Sequence, residues 1–292
     1  MNDTDGRGHV FKGISLMVLS MFLLAVTSVI TKMLGQSHHV SQIVLVRNIF
    51  VMIPVGLMVW RYGGLASLKP QNITGQILRS FFQLMAATLI AASFILLPLA
   101  EADSLLFAAP LFVAFLAGPL LGERVGWRRR AAVFVGFGGV IVILRPTPEL
   151  IQLVSLTGVA AALFICLRDI WTRRLRRTES TNAIMFWSEL GVIVGAAPVA
   201  AWFWLPMTAY DLALMAASGV LLGVAQFTMT VAYVSAEVAT VAPFRYSAII
   251  WSVIFGYMFF GHIPDVWVIT GVTIVIASGL YILHRESSGG DR

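Results

Sequence analysis

Apolar residues in this chain fall into ten long runs, near 11–34, 41–60, 73–97, 102–121, 130–145, 153–172, 181–204, 211–233, 237–259 and 265–284. A helix needs about 20 apolar residues to cross a bilayer, so the runs predict ten crossings, the fifth being the shortest. The fold class this implies is an all-α polytopic membrane protein with ten transmembrane helices. Several connections are only three to eight residues long, which makes consecutive helices antiparallel neighbours and leaves no room for an extramembrane domain. Trp60, Trp127, Trp202, Trp204 and Trp267 fall near run ends, as an interfacial aromatic belt requires.

Polar residues interrupt the runs in an ordered way. Val238 to Trp251 reads VATVAPFRYSAIIW. Pro243 removes a backbone donor there, and Arg245 places a permanent charge that costs about 2.5–3.5 kcal/mol in the middle of a membrane helix. Such interruptions persist where a helix lines a hydrated cavity or a ligand site. Prolines recur in corresponding spans, Pro54 with Pro198 and Pro110 with Pro243; the second pair marks candidate hinges, while the first serves packing equally well. In span three, Gln76, Arg79 and Gln83 share one helical face. In span eight, Gly219, Gly223, Gln226, Thr230 and Tyr233 share another, the glycines permitting close helix approach. Span nine adds Thr240, Phe244, Ser247 and Trp251, with Arg245 and Tyr246 on the edge of that stripe.

Depth groups the charges. At 1.5 Å per residue from the N-terminal side of the membrane, Glu189, Gln226 and Arg245 lie about 12 Å in and Arg79 about 9 Å in. Two arrangements satisfy them: a Glu189–Arg245 pair, or a zwitterionic solute whose carboxylate meets a guanidinium and whose ammonium meets Glu189. Phe82, Trp187, Tyr246 and Trp251 are candidates for an apolar or cation–π wall. Arg47 and Asn48 either anchor span two or gate it. Glu101, Asp103 and Glu237 are expected to cap helix N-termini, and His38 and His39 to be solvated in a loop.

Composition agrees: 59% of residues are hydrophobic and 12% charged, outside the range of soluble domains. The net charge of +6 does not mark a nucleic-acid partner, because the basic residues sit in alternate loops. Fifteen lysines and arginines fall on the N-terminal side, Arg168 counted among them, against two (Lys32 and Arg145) on the other. The positive-inside rule then places both termini in the cytoplasm. The polar first ten residues and the lack of a small-residue cleavage site predict that the first span is retained. Cys166 stands alone, so no disulfide is expected. Histidine and cysteine show no metal spacing and no glycine-rich nucleotide loop occurs, so no cofactor, metal or ATP chemistry is expected.

The chain also repeats itself. Leu121-Gly122-Glu123 recurs as Phe260-Gly261-His262, and Ile141 to Leu144 as Leu280 to Leu283, each 139 positions later. Five spans per unit is odd, so the second half, 153–285, is inverted relative to the first, 11–145. The run EADSLLFAAPLFVAFLAGPLLGERVGWRRRAAVFVGFGGVIVILRP resembles the end of the first half of the EamA family of the drug/metabolite transporter superfamily. VAPFRYSAIIWSVIFGYMFFGHIPDVWVITGVTIVIASGLYILHRE resembles the end of its second half. The chain is thereby identified as a ten-helix carrier similar to the YddG-like amino-acid exporters. It departs from the pattern at His262, where the family often carries Glu.

The resemblance implies two inverted five-helix repeats in a bacterial inner membrane and transport rather than catalysis. The first expectation is a monomeric secondary transporter, partnered by a small-molecule solute and the lipid bilayer. It would export amino acids, aromatic or of broad range, by alternating access at a central cavity. The alternatives are an uptake carrier for a larger metabolite such as riboflavin or S-adenosylmethionine, or a channel or structural membrane protein.

Overall fold

The computed structural model describes residues 3–121, 127–144, 154–236 and 238–287. Gly122 and Glu123 of the repeated motif, Arg124, Arg145, Glu237 and Arg292 lie outside the described residues. The described helices are α1 (Asp3–Leu34), α2 (Val40–Arg61), α3 (Ile73–Leu96), α4 (Leu99–Leu106), α5 (Ala109–Leu121) and α6 (Trp127–Leu144). They continue with α7 (Ser155–Leu175), α8 (Thr181–Trp202), α9 (Ala209–Ser235), α10 (Val238–Val241), α11 (Ser247–Phe260) and α12 (Val266–Ser287). They make ten crossings, because α4 with α5 and α10 with α11 are each one broken span. α1 begins and α12 ends on the same side of the bundle, called here the terminal side.

Seven crossings are long and apolar enough to span a bilayer, the fourth among them in spite of its break. The others fall short for local reasons. α6 opens on Trp-Arg-Arg-Arg, which leaves only Ala131–Leu144 apolar, and α12 is apolar over Val266–Ile282. The ninth span is broken by a 3-10 turn over Ala242–Tyr246. Pro243 sits inside that turn, so the polar stripe from Thr240 to Trp251 does not form one continuous helical face. The fourth span breaks at Phe107–Ala108, just before Pro110, which occupies the second position of α5, where a missing N–H costs little.

Packing between the two halves is reciprocal. α1 lies on α9, as α3 lies on α7; α2 meets α9, as α3 meets α8; α1 touches α11, as α7 touches α4 and α5. α2 packs on α8, α4 on α11 and α6 on α12. Hydrogen bonds join several of these pairs inside the apolar region, where an unpaired polar group is costly. The Ser20 hydroxyl donates to the Ala225 carbonyl at 2.7 Å, and Arg79 Nε donates to Thr172 Oγ1 at 2.8 Å. Close approach depends on missing side chains: a Cβ on Gly223 would overlap the Pro54 ring, and one on Gly219 would overlap the Arg47 carbonyl. The ninth span ends on Gly261, whose φ of 67° is left-handed. Its N–H and that of His262 return to the Tyr257 and Gly256 carbonyls, a glycine stop that satisfies the helix end.

Side-chain contacts tie helices together at the side away from the termini. Lys32 reaches from α1 to donate to the carbonyls of Phe94 (3.2 Å), Ile95 (3.3 Å) and Leu97 (2.6 Å), which closes the C-terminus of α3. Its ammonium also lies 5.5 Å from the Phe260 ring. The loop histidines are not solvated as expected. His38 is buried and meets Asp211 at 3.3 Å. His39 stacks on Phe203 at 4.4 Å and accepts from the Ser41 N–H as an N-cap. Asp211 lies in the first turn of α9, where its carboxylate accepts from the Thr208 N–H at 3.0 Å and from the Thr208 hydroxyl at 2.7 Å.

Candidate functional site

The site grows from α8. Glu189 is 3% exposed and faces α2, α3, α7 and α9. Gln83 of α3 donates to its carboxylate at 3.4 Å, and the Gln226 amide of α9 is hydrogen-bonded to it. Arg79, Arg47 and Arg168 surround it in that order of electrostatic influence. None of the three forms a direct ion pair with it among the described residues. Arg79 is held instead by Thr172 and by the Ile184 carbonyl at 3.3 Å, and Arg168 by Asp169 at 2.8 Å and by Gln83 at 3.4 Å. One carboxylate oxygen of Glu189 and the Nε of Arg47 are buried with no partner. Opposite charges thus lie near each other without a direct ion pair among the described residues.

The expected Glu189–Arg245 pair is not formed. Both residues lie at similar depth, but Arg245 faces the Tyr233 hydroxyl and the Asp169 carboxylate. Arg245 is exposed and lies in the 3-10 turn that breaks the ninth span. Tyr233, beside Arg245, and Gln226, beside Glu189, are seven residues apart on α9, two helical turns on one face, so one face of α9 connects Arg245 to the Glu189 cluster.

Two aromatic candidates lie elsewhere. Phe82 stacks with Phe164 (6.4 Å), Trp171 (6.1 Å) and Phe81 (5.9 Å). Phe81 is 48% exposed, so this aromatic cluster reaches the outer surface of the bundle. The Trp187 indole donates to the Leu68 carbonyl at 2.8 Å, at the terminal rim. Trp251 does belong to the interior. Its ring packs on Phe22 at 5.1 Å and Phe255 at 6.2 Å, and its buried indole N–H has no partner. Tyr246 packs on Phe107 at 4.8 Å, and its hydroxyl lies against Gly279. That contact links the break in span four to the break in span nine.

Sequence reasoning left out Asp169 and placed Arg168 with the loops. The hydropathy of the sixth run fades before 175, but α7 continues to Leu175 and carries both residues into the bundle. An Arg-Asp pair followed by another turn of helix was the available signal. Asn48 spends its amide on the Val44 carbonyl at 2.7 Å, whereas Arg47 beside it turns to Glu189. Gln76, on the Arg79 face, is buried with no partner. Asp103 is no cap: it sits in the second turn of α4 and accepts from the Ser252 hydroxyl of α11. Glu101, in the first turn, accepts from Ser155 at 3.2 Å.

Residues 11–145 match the EamA-like transporter family. The chain is 30% identical over 242 residues to the riboflavin transporter of Rhizobium johnstonii, covering 78% of this chain and 80% of that one. The chain belongs to the EamA-like transporter family. It is also 29% identical over 288 residues to the S-adenosylmethionine uptake transporter of Rickettsia conorii, covering 99% of this chain and 98% of that protein. Against the pseudopaline exporter of Pseudomonas aeruginosa, identity is 24% over 280 residues, covering 95% and 97% of the two chains. A solved crystal structure shares the fold at a TM-score of 0.63 with 18% identity, over 98% of each chain. This EamA-like protein is therefore a multi-pass membrane transporter of small molecules and not an enzyme.

Proposed function

We propose that this EamA-like transporter takes up S-adenosylmethionine or a close zwitterionic relative by alternating access. The observation that carries the reading is the unpaired opposition of Glu189 to Arg47, Arg79 and Arg168 in the bundle interior. S-adenosylmethionine offers a carboxylate for guanidinium recognition, and an ammonium and a sulfonium for Glu189. Its adenine and sulfonium suit an aromatic face such as Trp251 with Phe22. Uptake replaces the amino-acid export expected from the sequence, because relatives of nearly full coverage are named for uptake of this solute. Riboflavin lacks the carboxylate and ammonium that the charged cluster would select.

The halves 11–145 and 153–285 act as inverted repeats in this proposal. The reciprocal packing supports it, as does the α6–α12 contact. There Ser278 meets the Ala132 carbonyl at 2.5 Å while Gly271 meets the Gly139 backbone, and a 139-residue offset exchanges the two contacts. Pro110 and Pro243 flank the hinges, and rocking there separates Phe107 from Tyr246. The membrane is the bacterial inner membrane with both termini cytoplasmic, a placement the basic loops support. A reporter fused after Arg292 is expected inside and one inserted at Pro206 outside; an external C-terminus overturns the orientation.

The functional experiment is counterflow in proteoliposomes preloaded with unlabelled S-adenosylmethionine. Labelled S-adenosylmethionine is expected to overshoot transiently, with competition by its analogues and none by riboflavin or phenylalanine. Equilibration without overshoot identifies a channel. An overshoot with riboflavin or an amino acid alone overturns the choice of solute.

A further inference from the structure

Asp103 takes no part in the solute site, and its surroundings are unusual for a carboxylate in a membrane helix. It lies on α4 with its side chain toward α11, where the Ser252 hydroxyl donates to it. Ser252 is fully buried and Asp103 partly so. Among the described residues no cation pairs with Asp103. An anion held in a low-dielectric setting by a single neutral hydroxyl is costly, whereas a neutral acid is not.

Ser252 also lines a cavity of about 130 Å³ at the side away from the termini, together with Pro98, Glu101, His262 and Asp265. At about 30 Å³ per water, that is room for about four waters, in contact with ionisable groups on one side and the Asp103–Ser252 pair on the other. Burial, and then the Lys32 ammonium, hold the His262 imidazole below its usual pKa, which favours its neutral form. The other groups facing this region are accounted for. Glu101 accepts from Ser155 of α7, and Lys32 of α1 is committed to the end of α3. Toward the terminal side, Phe107 lies one turn past Asp103, just beyond the end of α4, and packs on Tyr246. Tyr246 belongs to the same 3-10 turn as Arg245, so this aromatic contact joins the span breaks next to Asp103.

We infer that Asp103 is a proton-binding site, loaded through the His262–Ser252 cavity and emptied toward the terminal side, which couples solute uptake to a proton gradient. The carboxylate takes up one proton from the far side to become the neutral acid. Movement at the two span breaks parts Phe107 from Tyr246, and the acid gives the same proton to water on the terminal side. The inference rests on the carrier reading above and adds the driving force to it.

The test uses the full-length protein in proteoliposomes with the membrane potential clamped at zero and a gradient of one pH unit. One proton per solute sets a ceiling of about tenfold accumulation, since one pH unit is about 1.36 kcal/mol. Wild type is expected to accumulate labelled S-adenosylmethionine several-fold toward the acid-side drive, and Asp103→Asn to reach only equal concentrations while keeping counterflow. Ser252→Ala retains the carboxyl and removes its partner, so the pH of half-maximal uptake is expected to rise by about one unit, the worth of one hydrogen bond. Three results overturn the inference: no gradient-driven accumulation by wild type, accumulation by Asp103→Asn equal to wild type, or an unmoved pH midpoint in Ser252→Ala. The Ser252→Ala arm decides the matter should Asp103→Asn not fold. Loss of counterflow in wild type would instead sink the carrier reading, so the two failures are separable.

Discussion

Glu189→Gln is expected to lower the affinity for S-adenosylmethionine about 10- to 100-fold, the factor that corresponds to losing one charge-assisted hydrogen bond. Glutamine keeps the shape and can still bond to Gln83 and Gln226, so side-chain volume is not what the variant tests. What it removes is the anion that faces Arg47, Arg79 and Arg168 together, two of which are no more than 9% exposed. In the empty carrier Asp169 still compensates Arg168, but Arg47 and Arg79 lose the attraction of Glu189, and the melting temperature in detergent falls. A solute carboxylate still finds its arginines, but the ammonium and sulfonium lose their partner. The expected pattern is therefore selective: zwitterionic and cationic solutes lose affinity, while an analogue lacking the amino group changes little. Uptake kinetics and solute-induced thermal protection both read this. Equal losses for both analogues, or an unchanged KM, would place recognition of the cationic end elsewhere.

The spans were legible because burying ten apolar helices in lipid leaves a hydropathy record that needs no tertiary information. The same holds for the breaks beside Pro110 and Pro243, where a missing backbone donor is a local fact. Partnerships were not legible. Depth along the membrane put Glu189 level with Arg245, but depth says nothing about azimuth, and α8 turns Glu189 toward α2, α3, α7 and α9 instead. Lys32 was counted with the external loops; a flexible ammonium on a four-carbon stem can fold back onto the open carbonyls at a helix end, and only the neighbouring α3 reveals that this one does. Asp103 resembled a cap because it lies near a helix start. Its role depends on Ser252, 149 residues away in sequence. Phe82 packs with Phe81, Phe164 and Trp171, partners that its place in the sequence does not reveal.

Arg245→Ala is expected to reduce uptake about as severely as Glu189→Gln, and Arg245→Lys to recover only part of it. Lysine keeps the charge, but loses the planar fork that holds a carboxylate with two parallel bonds. The same variants separate Arg245 from Glu189. Had the two formed a pair, Arg245→Ala would leave Glu189 uncompensated, and the stability losses of the single variants would not add. Arg245 instead faces Tyr233 and Asp169, so the melting of the empty carrier is expected to show additive effects for Arg245→Ala with Glu189→Gln, within about 0.5 kcal/mol. Arg245→Ala with Asp169→Asn is expected to deviate from additivity, because those two charges act on each other. Affinity should be lost in Arg245→Ala with folding intact, since the residue is open to water and its removal leaves no buried group stranded. A wild-type KM in that variant, or a strong coupling to Glu189 in the empty protein, would move the solute site away from Arg245.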